Sequence, residues 1–227
     1  MRKRPITTLF MLMTVDGKIS TGATDDLDVD KDFPKINGVK EGLHQYYDIE
    51  QTTDMWSLNS GRVQAKVGVN ESPFPNKTDV SFVVIDNSHM TAHGVEYFAQ
   101  LSKTFVLATT NKLHPAFSIK NDNVNIIFQE KLNLAKLLEN LHENYSCERI
   151  TIQTGGTLNE MFLRCKLFDC VDIVIAPVLV GGKDTSTLID GTSLLESNEL
   201  SKLGVLNLDS CDVLKDSYIR LRYKVIG

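Results

Sequence analysis

Four short stretches carry residue types whose spacing suits chemistry. Thr14-Val15-Asp16-Gly17-Lys18-Ile19 sets a carboxylate and an ammonium on either side of a glycine. Asp-Gly is a turn pair, so both charges can face a polar substrate, and a lysine placed there can orient a hydroxyl or assist a proton transfer. Read alone, the same residues also make a plain tight turn. In Asn59-Ser60-Gly61-Arg62-Val63-Gln64 the small residues let backbone amides approach a phosphate, and the arginine adds a charge-assisted fork. Gln153-Thr154-Gly155-Gly156-Thr157-Leu158 is the most specific of the four: an apolar run ends in paired glycines and an amphipathic stretch begins at once. Such a helix start presents free amides to an anion, and Thr157 is available as a cap. It is neither a GxGxxG fingerprint nor a P-loop. Ala176-Pro177-Val178-Leu179-Val180-Gly181-Gly182-Lys183 has glycines that leave room for a bound ring or ribose, or simply make a flexible loop.

Those stretches need a frame. Runs rich in β-branched residues predict strands over 7–15, 54–58, 80–86, 104–109, 123–128, 149–153 and 171–177, with a closing antiparallel pair over 205–214 and 218–225 turned at Lys215-Asp216. Leu134, Leu137, Leu138, Leu141 and Tyr145 fall on one helical stripe, as do Leu158, Met161, Phe162 and Cys165. Weaker helical patterns cover 38–51 and 95–101. Strands alternating with single helices and ending in a hairpin predict an α/β layer sandwich, a mainly parallel sheet with an antiparallel edge. Sheets of that kind bind ligands beyond the carboxyl ends of their strands, where all four stretches fall.

Bulk properties exclude several classes. With 227 residues, 42% apolar and 23% charged, the chain has the composition of a folded protein, and one domain over 1–227 is expected because no linker or repeat divides it. A net charge of −5 argues against a nucleic-acid partner. No apolar run reaches membrane-spanning length, and the basic run Arg2-Lys3-Arg4 leads into a strand pattern rather than a targeting segment. Cys147, Cys165, Cys170 and Cys211 form no CxxC pair and have no His at finger spacing, which predicts neither a metal site nor disulfides and suits a reducing cytoplasm. His44, His89, His93, His114 and His142 are scattered, each suited to a surface or satisfied position.

In order, Thr-Val-Asp-Gly-Lys-Ile, Ser-Gly-Arg, Val-Val-Ile-Asp-Asn-Ser, Thr-Gly-Gly-Thr-Leu and the run from Leu167 through Gly182 resemble the C-terminal reductase domain of the riboflavin-biosynthesis deaminase-reductases, in the dihydrofolate-reductase-like class. The resemblance covers about residues 5–226, and no deaminase domain is expected ahead of it. It implies a three-layer sandwich and hydride transfer from NADPH to a heterocyclic, pyrimidine-ribose substrate, as in 5-amino-6-(5-phosphoribosylamino)uracil reductase. Gly155, Gly156 and Thr157 would take the cofactor's pyrophosphate. Ser60, Gly61, Arg62, Asp86, Asn87, Ser88 and Thr109 would contact its ribose and phosphate parts, and Leu179 and Gly181 its nicotinamide. Asp16 and Lys18 would be catalytic, with Thr14 and Thr154 beside them on the substrate side. Family members pair through their sheets, which implies a homodimer.

The chain also departs from the family pattern. Thr154 replaces a usual glutamate, Asp169-Cys170 a usual Asp-Glu, and the stretch 24–30 is acidic where the family holds the substrate's phosphate. No arginine accompanies Ser88-His89-Met90, which keeps NADH open beside NADPH. These departures leave two alternatives: reduction of another heterocycle or carbonyl, and a nucleotide-binding protein that lost its chemistry.

Overall fold

Strands start where β-branched and aromatic residues cluster, because such side chains fit a pleated, buried surface. In the computed structural model, which describes residues 3–226, these runs form β1 (Ile6–Thr14), β2 (Trp56–Ser60), β3 (Ser81–Ile85), β4 (Phe105–Thr109), β5 (Val124–Phe128), β6 (Arg149–Gln153), β7 (Cys170–Ala176), β8 (Val205–Val213) and β9 (Ile219–Ile226). Helices α1 (Val29–Asp32) and α2 (His44–Glu50) follow β1, α3 (Gly61–Lys66) follows β2, and α4 (Ala92–Leu101) follows β3. Then come α5 (Leu134–Tyr145) before β6 and α6 (Gly156–Arg164) directly after it. Arg2 of the basic run lies outside the described residues.

The described residues group into two compact units, one of residues 3–5 and 54–154, the other of 6–53 and 155–226. In the first, β5, β4, β3, β2 and β6 lie side by side in that order, all parallel. Its core packs Val84, Phe105 and Leu107 with Val95, Phe98 and Ala99 of α4, and α5 buries the predicted leucines 134, 137, 138 and 141. In the second, β1 pairs parallel with β7, β9 runs antiparallel to β7, and β8 antiparallel to β9. Here Phe10 and Leu12 of β1 and Val174 and Ala176 of β7 pack with Val29, Phe33, Leu43, Tyr46 and Tyr218. Phe10 stacks on Tyr46 with ring centroids 5.1 Å apart, and the enclosed Tyr218 hydroxyl donates to the Val39 carbonyl at 2.7 Å. Arg220 of β9 forks onto Asp172 of β7 at 2.9 and 2.6 Å, which ties the hairpin to the parallel pair.

Each unit is the expected α/β arrangement, parallel strands with helical crossovers, and the chain ends in the expected antiparallel hairpin. Three elements differ from expectation. β2 begins and ends two residues later than 54–58, the 60–62 stretch is the start of a helix and not a free turn, and 38–51 is helical only over His44–Glu50. β2 is displaced because its polar residues are satisfied in place. Asn59 Nδ2 donates to Ser57 Oγ at 2.9 Å, Ser57 Oγ donates to Gln153 Oε1 at 3.0 Å, and Gln64 Nε2 donates to Asn59 Oδ1 at 3.1 Å. Buried polar groups that find partners are tolerated in a strand the apolar pattern would not include.

Candidate active site

In the second unit the turn at Asp16-Gly17-Lys18 is built by Thr14. Its hydroxyl donates to the Asp16 carboxylate and accepts from Lys18 N at 2.9 Å, while Gly17, at φ 78°, donates to the Thr14 carbonyl. Gly17 supplies the left-handed conformation that a side chain would oppose. Asp16 also accepts from the amides of Gly181 at 2.6 Å and Val180 at 3.2 Å. The Thr14 hydroxyl, more than those two amides, holds its carboxyl below the usual range, against the raising effect of burial. Lys18 is 9% exposed, and its ammonium donates to the carbonyls of Gly182 at 2.7 Å and Thr185 at 3.0 Å. An ammonium has three protons, so one remains for a ligand.

These bonds pin a strap of irregular chain, residues 180–190, onto the turn. Lys18 bridges to Thr187 as an isolated antiparallel pair, Ile19 N donates to Ser186 O at 3.0 Å, and Leu188 N to Gly17 O at 3.1 Å. The far end of the strap lies on the start of α6. Asp190 N donates to Gly156 O at 3.1 Å, and Asn159 Nδ2 to Leu188 O at 2.9 Å. A side chain at Gly156 would overlap the Thr187 carbonyl and the Asp190 carboxylate. The N-cap of α6 is Gly155, which brings no capping side chain, whereas α3, α4 and α5 are capped by Ser60, Thr91 and Asn133. First-turn amides without a cap side chain are donors suited to an anion. Thr157 is exposed and Gly155 half-buried.

In the first unit the ends of β2, β3 and β4 come together. Ser60 caps α3 by accepting from Val63 N at 3.4 Å, and Arg62 beside it is exposed. Asp86 follows β3 with its carboxylate fully enclosed, accepting from His89 N, Met90 N, His89 Nδ1 and His114 Nε2. Burial alone would raise its pKa, but these donors, His114 first among them, hold it at about 2. Asn87 Oδ1 accepts from Thr109 Oγ1 at 3.1 Å and from Thr110 N at 2.8 Å, joining the ends of β3 and β4.

The residues singled out in the sequence therefore divide. Asp16, Arg62, Asn87, Ser88, Thr157, Leu179 and Gly181 are exposed, Gly155 is half-buried, and Lys18 sits at the edge of burial. Thr14, Asp86, Thr109 and Thr154 are enclosed. Ser60, Gly61 and Gly156 are buried as well, the hydroxyl of the first used as a cap and the two glycines set against Asp86 and the strap. The reason is that a strand's end can be read from sequence, but the partners that enclose its last side chains cannot. Two contributors carry little sequence signal of their own. The strap residues Thr185, Thr187 and Asp190 lie in a run without periodicity. His114 is marked only by the Pro115 that follows it, a pattern suited to a cap, and its Nδ1 does accept from Ala116 N.

Comparison with known proteins places this architecture. Residues 5–214 match the model of the RibD C-terminal domain. The chain belongs to that family. The 2,5-diamino-6-ribosylamino-4(3H)-pyrimidinone 5′-phosphate reductase of Methanothermobacter thermautotrophicus is 28% identical over 207 residues, covering 88% of this chain and 90% of that protein. The riboflavin biosynthesis protein RibD of Actinobacillus pleuropneumoniae is 26% identical over 231 residues, of which this chain spans 58% of the length. Among solved structures, RibD of Acinetobacter baumannii has a TM-score of 0.66 at 16% identity over 99% of this chain and 59% of that one. The riboflavin biosynthesis reductase Rib7 of Saccharomyces cerevisiae has a TM-score of 0.62 at 14% identity, covering 100% of this chain and 92% of that one. The family's fold is thus the dihydrofolate-reductase-like sandwich expected from the motifs. Among the described residues no helix is long and apolar enough to cross a membrane.

Proposed function

We propose that this chain is a reductase that transfers hydride from a nicotinamide cofactor, NADPH with NADH as the alternative, to a ribosylamino-pyrimidine phosphate. The observation that carries this reading is the meeting, within one unit, of the 16–18 turn, the Gly181-Gly182 loop and the uncapped start of α6. The substrate class is supported by the Methanothermobacter thermautotrophicus relative, named 2,5-diamino-6-ribosylamino-4(3H)-pyrimidinone 5′-phosphate reductase. We therefore favour the diamino compound over the aminouracil suggested by the motifs alone. We read 1–227 as one reductase domain, working in the cytoplasm.

A bound reduced nicotinamide would supply the hydride. The chain's part is to bind, orient and hold a proton. In the second unit the amides around Gly155 and Thr157 would take a diphosphate and Leu179 and Gly181 would face a nicotinamide; in the first unit Arg62, Asn87 and Ser88 would contact ribose or phosphate groups. Asp16 stays ionised and shapes the 180–182 backbone. The last N–H of Lys18 would donate to a substrate oxygen or nitrogen, fixing the sugar and steadying the charge that changes there as hydride arrives. Supplying the purified protein with the diamino compound and NADPH is expected to deplete the reduced cofactor's absorbance, more slowly with the aminouracil or with NADH. Cofactor bound but not oxidised with either pyrimidine or with pterins would make the chain a nucleotide-binding protein instead.

We further propose a homodimer formed through the C-terminal hairpin. Its cross-strand pairs sort by face. Asp212–Arg220, Ser210–Arg222 and Asn207–Lys224 lie on one side, with Val205–Ile226 at its end, while Val213–Ile219, Cys211–Leu221, Leu208–Tyr223 and Leu206–Val225 lie on the other. The polar side satisfies itself, with Arg222 donating to Ser210 at 2.7 Å and Asp212 at 3.0 Å. On the apolar side Val213 is 83% exposed and Leu208 52%. An uncharged apolar face on an edge strand suits a second copy of itself across a two-fold axis. Leu208→Glu is expected to convert the dimer to monomer in sedimentation velocity. A wild-type chain that sediments as monomer at micromolar concentration overturns this pairing.

A further inference from the structure

The ends of β2, β3 and β4 are registered on one enclosed carboxylate, and we propose that Asp86 and His114 are a positioning pair that holds the β2–α3 and β3–α4 turns in the shape that receives the nucleotide. The proposal rests on the cofactor reading and deepens it, because it says what keeps the receiving surface preformed. Neither side chain touches the ligand.

Asp86 has nothing left to offer a ribose. Its Oδ2 accepts from His89 N at 3.0 Å, Met90 N at 3.0 Å and His114 Nε2 at 2.9 Å, and its Oδ1 lies 3.1 Å from both His89 N and His89 Nδ1. Five contacts saturate a carboxylate, so its work is internal. The β2–α3 turn rests on it directly, since a Cβ at Gly61 would overlap the Asp86 side chain. His114 brings in the chain after β4. With Asp86 ionised, Nε2 must carry the hydrogen that faces it, and Nδ1 keeps a lone pair for Ala116 N at 3.1 Å. Asn87 closes the arrangement: its Oδ1 accepts from Thr109 Oγ1, Thr110 N and Thr110 Oγ1, while Asn111 Nδ2 donates to the Asn87 carbonyl at 2.7 Å. The exposed Arg62, Asn87 and Ser88 are sequence neighbours of Gly61 and Asp86. A carboxylate free to turn would release all three.

Two substitutions separate the halves of His114. In His114→Asn the amide oxygen reproduces Nδ1 and keeps Ala116 N satisfied, but nothing reaches Asp86. In His114→Gln the longer amide returns a donor toward Asp86. Titrating NADPH by its fluorescence, we expect His114→Asn to weaken binding about tenfold, equivalent to about 1.4 kcal/mol. The KM for NADPH should rise with it while kcat at saturating cofactor stays within about twofold, the pattern of lost binding without lost transition-state contacts. His114→Gln should recover most of the affinity. A merely structural role would lower the melting temperature and leave the affinity of the folded protein unchanged, and that result overturns the proposal. Should His114→Asn not fold, Gly61→Ala displaces the same carboxylate from its other side, and wild-type affinity there is equally fatal. Wild-type protein that binds neither NADPH nor NADH would instead remove the cofactor reading itself.

Discussion

Lys18→Met is expected to lower kcat/KM for the pyrimidine substrate by about 10²- to 10³-fold, the usual size of one lost charge-stabilising donor. The ammonium joins two tasks. It donates to the Gly182 and Thr185 carbonyls, which sets the strap, and in the proposed reaction its third N–H would serve the substrate. Methionine retains the length and packing of the stem but leaves both carbonyls without that donor, a cost of about 1–3 kcal/mol for buried groups. Lys18→Arg should not rescue activity, because a planar fork cannot reproduce three tetrahedral donors. Steady-state kinetics beside a thermal melt decide the matter. A melt lowered by a few degrees with kcat/KM within threefold of wild type would reduce Lys18 to a strut.

Gly156→Ala is expected to be the most destabilising single methyl group in the second unit. The added Cβ meets the Thr187 carbonyl and the Asp190 carboxylate, and the first of these is backbone that cannot swing aside. Overpacking of this kind costs about 1–3 kcal/mol. For a chain of this size that corresponds to a melting temperature lower by about 2–12 °C. Activity should fall further than stability alone explains, because Thr187 is also the bridge partner of Lys18, so displacing the strap displaces the ammonium. Asp190→Ala in the same chain should restore only part of the loss, since it removes the flexible half of the clash and leaves the carbonyl. Full recovery in the double variant, read by calorimetry, would show that the strap backbone is free to move.

Much of the frame is legible because its causes are local. The strand at 149–153 is found as Arg149–Gln153, and the hairpin expected over 205–214 and 218–225 is found as Val205–Val213 and Ile219–Ile226. Both follow from β-branched runs bounded by polar turns. The leucine stripe of α5 is buried as its spacing requires. The Gly155-Gly156 pair also stands at a strand end and a helix start, as expected. At Gly156 the strap packs on the glycine, while Thr157 is exposed and Gly155 half-buried.

The amino-acid order by itself determined which residue types stand at the strand ends, and through their motifs the family. Enclosure was decided only in three dimensions. Asp16 is shaped by an amide 165 residues away, Lys18 by a carbonyl 167 away, and Asp86 by a histidine 28 away. Hydrogen-bond partners that distant leave no periodic trace in the chain. The side chains of one strand end can therefore look alike as a string and yet divide, once folded, into groups open to a ligand and groups that hold the open ones in place.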